Sequence, residues 1–185
     1  TTAGSRFKTL CMQNDLHLLD ASVRHLGTDI NYVVLENLYN HLKDKAEFFF
    51  NTPVDHIEVT NDGYAVICGE KTYTCEKCIV SVGRIGSKWM ETVCRDLDIP
   101  TKSNRVDIGV RVEMKDSIWR DFSSQIYEPK ILYRTKTFED RCRMFCFNQG
   151  GIVSAENNHG VITANGHSFA EKDKKTDNCN FAILS

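Results

Sequence analysis

Cys78-Ile-Val-Ser-Val-Gly-Arg-Ile-Gly86 divides this sequence, and the fold turns on how it is read. It is a short apolar run closed by two glycines, and it reads as a buried strand that ends on Gly83 and Gly86. Glycines at that end let the backbone approach a neighbour or a ligand closely, because no Cβ stands in the way. The same spelling also fits an ordinary core strand followed by a glycine turn.

Moving back from this stretch, Lys71–Cys75, Tyr64–Cys68 and Val54–Thr60 read as three strands. Asn61-Asp62-Gly63 marks a hairpin, since Asp-Gly supplies the positive φ angles of a tight turn. Gly69-Glu70 turns the chain a second time, giving a three-stranded meander. Upstream, Glu47-Phe-Phe-Phe-Asn51 reads as a buried strand stopped by Thr52-Pro53. Ile30, Val33, Val34, Leu38 and Leu42 recur at helical spacing and predict a helix to about Lys45, with Thr28 or Asp29 as its N-cap. Phe7–Met12 reads as a short strand, and His17–Leu26 as either a short helix or irregular chain.

After Gly86 the pattern changes. Ser87 is placed to cap a helix carrying Trp89, Met90, Val93, Cys94 and Leu97 on one face, with Ile99-Pro100 ending it. Val106, Ile108, Val110, Val112 and Met114 alternate with Asp107, Gly109, Arg111 and Glu113, the period of a strand with one buried face. Ser117–Phe122 reads as a short helix, and Ile131–Arg134 and Cys142–Phe147 as strands. Gly150-Gly151 turns into Ile152–Glu156, and Asn157-Asn158-His159-Gly160 makes a hairpin to Val161–Asn165. Glu171–Asp177 is a charged loop. The fold class is α+β, in two parts: residues 1–86 and 87–185.

Length and composition exclude several functions. The 185 residues suit one large domain or two small ones, enough to bury roughly 70% of the unfolded surface without staples. A net charge of -2 argues against non-specific nucleic-acid binding, which draws on a basic surface. No apolar run approaches the ~20 residues of a membrane span, and no signal-peptide pattern opens the sequence. The eight cysteines are irregularly spaced, with Cys68 and Cys146 inside apolar strand patterns, as expected in a reducing cytoplasm. The sequence opens without methionine and stops inside Asn180-Phe-Ala-Ile-Leu-Ser185, so an excised segment of a longer protein is expected.

Several groupings bear on chemistry. Cys75-Glu-Lys-Cys78 has the spacing of half a zinc knuckle, with Cys142 and Cys146 as a conceivable second half. Four strand residues span about 13 Å, too far for two thiolates on an ion with ~2.3 Å bonds, so no metal is expected. A redox dithiol at Cys75 and Cys78 lacks the helix N-terminus that lowers a thiol pKa. Arg111, beside Gly109 and sharing its face with Glu113, is a candidate to hold an anionic group, against the plainer reading of a solvated strand face. Asn165-Gly-His167 brings two polar side chains to a strand end. His25 lies before a helix start, and either histidine is a candidate acid or base. No Gly-x-Gly-x-x-Gly, P-loop or nucleophile triad is present.

Four segments in order, His25-Leu-Gly-Thr-Asp29, Cys78–Gly86, Val106-Asp-Ile-Gly-Val-Arg-Val-Glu113, and Phe145-Cys-Phe-Asn-Gln-Gly-Gly151 followed by Asn165-Gly166 and Asn180-Phe-Ala182, resemble a family of bacterial FAD-dependent dehydrogenases of unassigned substrate. The resemblance implies a Rossmann-like FAD domain, represented in part by residues 1–86 with the helix, the Phe48 strand and the meander. A mainly antiparallel β substrate domain would occupy 87–185. It implies cofactor contacts at Val54, Gly83 and Arg84, and a substrate cavity near the isoalloxazine at Arg111, Asn165 and His167, with Arg111 and His167 as catalytic candidates. The family's glycine-rich phosphate motif and its C-terminal FAD segment are absent, and with them most of the expected FAD affinity. Asn148 stands where the family often carries a further cysteine, which weakens a thiol role for Cys146. The expectation is a central fragment of an FAD-dependent oxidoreductase, inactive by itself. Its partners would be a small-molecule substrate and the remaining FAD-domain segments of the parent chain, with no nucleic acid or membrane. The alternatives are a self-contained ligand- or protein-binding module without redox activity, and a zinc-stabilised interaction domain.

Overall fold

The computed structural model of the protein describes residues 2–19 and 26–185. It combines helices with antiparallel strands, and the described residues form no closed barrel. Two compact units emerge, one drawn from Thr1–Tyr39, Val106–Asn157 and Val161–Ser185, the other from Asn40–Arg105 with Asn158–Gly160. This division differs from a single boundary after Gly86. The N-terminal elements pair with the large sheet, whereas the helix after Gly86 stays with the meander.

The first unit is built on five antiparallel strands. They are β1 (Leu16–Leu19), β5 (Gly109–Lys115), β6 (Lys130–Arg134), β7 (Arg141–Gln149) and β10 (Asn178–Leu184), in the order β1-β6-β7-β10-β5. Alternation sorts their side chains. Val112 and Met114 of β5 share a face with Phe181 and Cys179 of β10 and with Met144 and Phe147 of β7, forming one core cluster. Trp119 closes this face from the short helical segment Asp116–Ile118 and α4 (Arg120–Ser123), with ring centroids 5.6 Å from Phe147 and 5.9 Å from Phe181. Helix α1 (Thr2–Gln13) adds Phe7 and Cys11, one turn apart, against Leu18 of β1. The Phe7–Met12 segment is therefore helical rather than a strand, because its buried positions recur every four residues. His17–Leu19 lies in a strand that pairs with β6, and positions 20–25 lie outside the described residues.

A bulge decides the other face of this sheet. Phe145 pairs with Ala182 and Asn148 with Asn180, so β7 carries one residue more than β10 across that interval. Cys146 takes up the excess at φ 51°, in the left-handed region. Met144 and Phe147 are three positions apart and would otherwise face opposite ways; the extra residue brings both into the core. It also turns Asn148 to the face where Asn180 and Arg111 lie. Strands β8 (Ile152–Asn158) and β9 (Val161–His167) form a separate two-stranded hairpin, its turn made by His159-Gly160 as the sequence predicts.

In the second unit β2 (His56–Thr60), β3 (Gly63–Cys68) and β4 (Lys71–Cys75) form the expected meander, with Thr60 opposite Gly63. Helix α3 (Ser87–Asp96) follows the glycines and buries Val93 and Cys94. Ser87 is its first residue and makes no side-chain cap. Trp89 Nε1 donates to Asp55 O at 2.9 Å, and Asp55 Oδ2 accepts from the Gly69 amide at 2.6 Å, which ties α3 to the meander.

Three further expectations change. Residues 78–86 form no strand: 78–82 are irregular and 83–86 are turn, with Ile79 92% exposed and Ile85 82% exposed. An apolar run becomes a strand only when a neighbouring strand accepts its hydrogen bonds, and no ladder reaches this one. Residues 47–51 likewise form no strand, and Phe48, Phe49 and Phe50 are exposed, with Phe49 against Tyr73 at 4.8 Å. Helix α2 (Asn31–Leu42) forms as predicted but buries no residue. Asp29 does not serve as a simple N-cap, since its carboxylate accepts from the backbone amides of Ala170 and Glu171 at 3.0 and 3.1 Å. No described helix is long and apolar enough to cross a membrane.

Candidate functional site

On the face of the five-stranded sheet away from Trp119, a polar cluster forms where apolar packing would be the default. Arg111 projects from β5 on the same side as Ala182 and Asn180 of β10. Its Nη1 donates to Asn180 Oδ1 at 2.8 Å and to Cys146 O at 3.5 Å. Asn148 Nδ2 donates to Asn180 Oδ1 at 3.1 Å and to Cys146 O at 2.9 Å. Asn180 has no exposed surface and Asn148 only 3%. The bulge places the Cys146 carbonyl within reach of both donors, which accounts for a non-glycine residue held in a costly conformation there.

Gly166 of β9 seals the cluster. A Cβ on it would lie 2.3 Å from Arg111 Nη1, 2.4 Å from Asn148 Nδ2 and 2.4 Å from Asn180 Oδ1. Gly151 is equally confined, against the His167 carbonyl at 2.3 Å and Asn148 Cβ at 2.8 Å. Glycine is required at both positions for close approach of one strand backbone to the side chains beneath it.

Because Gly166 faces the sheet, its neighbours Asn165 and His167 point the other way. Asn165 Nδ2 donates to Glu156 Oε2 at 2.6 Å, and His167 Nδ1 lies 3.3 Å from Thr28 Oγ1. The Thr28 amide donates to Ser168 O at 2.9 Å, and Asp29 holds the 170–171 backbone. Two backbone donors hold the Asp29 carboxyl below its usual range, Ala170 contributing most and Glu171 next. The Leu26–Asp29 part of the first motif therefore fastens the chain after β9, while His25 lies outside the described residues. Arg111, Asn165 and His167 share one neighbourhood, but the last two side chains turn away from the first. Asn148, Asn180 and Gly166, to which sequence reasoning gave no site role, complete the Arg111 cluster. All three stand inside the motifs quoted above.

The expected cofactor residues lie in the second unit. Gly83 adopts φ +63°, and nothing lies within 4 Å of where its Cβ would stand. It borders a cavity of about 630 Å³ whose lining includes Val82, Met90, Cys94, Ser87, Ser103 and Lys102. Val54 is half-buried just before β2, and Arg84 is exposed in the turn; neither lines this cavity.

The thiols are unpaired. All eight cysteines are free. Burial, then the charge of Cys75, pushes the Cys78 thiol up. Among the described residues no three His, Cys, Asp or Glu side chains gather as a metal site. No protein-family profile matches this sequence, and no curated protein matches it.

Proposed function

We infer that this chain is the central part of a bacterial, cytoplasmic FAD-dependent oxidoreductase, supplying its substrate domain and part of its FAD site. The observation that carries this reading is the Arg111–Asn148–Asn180 cluster under Gly166. It gathers residues from three separate stretches of the motif set, 106–113, 145–151 and 165–182, around one charged group. A set of motifs that meets around a half-buried guanidinium fits a substrate site better than a packing core, where such a group is costly. Thr28 and Asp29 of the first motif fasten the strand that covers it.

The second unit offers residues that fit part of a flavin nucleotide. The cavity beside Gly83 is lined by apolar side chains such as Val82 and Met90, by the hydroxyls of Ser87 and Ser103, and by Lys102 and Glu91. Gly83 leaves its backbone open to a ligand, as expected of a cofactor contact. FAD, when bound, would supply the two-electron acceptor. Arg111 would hold and orient the substrate.

Visible absorbance of this chain and of the full-length product of its gene, purified side by side, tests the reading. A yellow full-length product with a weakly coloured or colourless chain is the expected result. A full-length product that stays colourless after FAD is added overturns it, and the non-redox binding module then becomes the better account.

A further inference from the structure

The Arg111 cluster has more donors than acceptors. Asn180 Oδ1 and Cys146 O each already accept from both Arg111 and Asn148. Two buried donors are left without an acceptor, Arg111 Nε and Asn180 Nδ2. Buried polar atoms in native proteins nearly always find a partner, so two such donors in one cluster mark an absent acceptor.

Which edge of the guanidinium is free decides the chemistry. Only Nη1 is bonded. Nε and Nη2 point to the same side of the planar group, the edge that takes a carboxylate through two parallel hydrogen bonds. No carboxylate forms an ion pair with Arg111 among the described residues. Glu113, the ladder partner of Asn180, is exposed and makes no ion pair with it. Arg111 is also the half-exposed member, with Asn148 and Asn180 buried behind it, so a ligand reaches the cluster through Arg111.

We propose that this site binds a carboxylate, held side-on by Arg111 Nε and Nη2, and that the substrate is a small carboxylic acid. The assignment rests on the reading of Arg111 as a substrate-holding residue. A neutral amide offers a single oxygen and no charge, so it should bind about tenfold or more weakly.

The test is a titration of the full chain with sodium acetate, sodium benzoate and octanoate, followed by NMR at the Arg111 Nε–H resonance. Benzamide and sodium chloride serve as controls. A saturable downfield shift with at least one carboxylate, about tenfold weaker or absent with benzamide and chloride, is expected. Arg111→Lys keeps the charge but loses the fork, and should abolish saturation in the thermal-shift version of the same titration. No saturable shift with any of the three acids, or equal shifts with the controls, overturns the proposal and leaves internal water as the acceptor. The resonance does not depend on flavin. Carboxylate binding with a colourless full-length product would leave this site standing and remove the oxidoreductase; a yellow product without carboxylate binding would do the reverse.

Discussion

Gly166→Ala should be among the most damaging single-methyl additions in the first unit. The added Cβ would stand 2.3 to 2.4 Å from three polar atoms, about 1 Å inside ordinary contact. Gly166 does not sit at positive φ, so the cost is steric and not conformational. Relief requires β9 to lift or the three side chains to part. Parting breaks the 2.8 Å Arg111–Asn180 bond, a charge-assisted contact contributing about 1.5–3 kcal/mol, and strains the neutral Asn148–Asn180 bond, contributing about 1 kcal/mol. Lifting carries an overpacking cost of about 1–3 kcal/mol. The two routes compete and the cheaper sets the cost, so a loss of about 1–3 kcal/mol is expected. For a chain of this size that lowers the melting temperature by roughly 2–12 °C. Gly83→Ala is the control. Its Cβ meets open space, and only left-handed strain of about 1–2 kcal/mol remains. Scanning calorimetry on both variants decides. A Gly166→Ala shift under about 2 °C would refute the close-packed cluster.

Two other outcomes follow from the same structure. Trp119→Ala removes the ring that packs on Phe7, Phe122, Phe147 and Phe181, so urea unfolding should show a loss of about 3–5 kcal/mol; a loss under about 1 kcal/mol would mean the ring does not hold the two clusters together. The folded Asp29 carboxyl titrates below its ordinary range, so the stability it contributes is present above that range and is lost as the pH falls through the folded value. Melting temperature followed from pH 6 down to pH 2 (about the range where carboxylates titrate) should therefore fall less steeply in Asp29→Asn than in the parent, and parallel curves would contradict the assignment.

The parts of this fold written into the sequence are those whose signal is local. The meander is marked by Asn61-Asp62-Gly63 and Gly69, whose turns need particular φ angles, and Gly63 and Gly69 do adopt positive ones. The strand at 141–149 and the Val112–Met114 part of 109–115 follow from alternation, whereas Val106, Ile108 and Val110, expected on the same buried face, are exposed and the strand begins only at Gly109. Segments whose state depends on a distant partner were read wrongly. Cys78–Val82 and Phe48–Phe50 have strand composition and no ladder, and Phe7 and Cys11 are held as a helix by Leu18 and Trp119. The Arg111 cluster was half legible. Arg111 beside Gly109 stood out, but the bulge that turns Asn148 toward it lies at Cys146, a residue with no left-handed preference to announce it. Asn165 and His167 were the visible polar pair, and strand alternation placed Gly166 between them, facing the arginine.

The position of β10 bears on how the protein is made. Gly109 pairs with Leu184 and Lys115 with Asn178, so β10 is the strand that joins β5 to β7. While the chain leaves the ribosome, β6 and β7 can pair at once through the short loop between them, but β5 must wait until the 178–184 segment emerges. For that interval Val110, Val112 and Met114 have neither ladder nor core, a period in which a nascent chain is open to aggregation and to chaperone capture. Transcripts that stall or are truncated just before residue 178 should release a species with two bare strand edges. Slow codons would be tolerated far better after β10 than between β7 and β10.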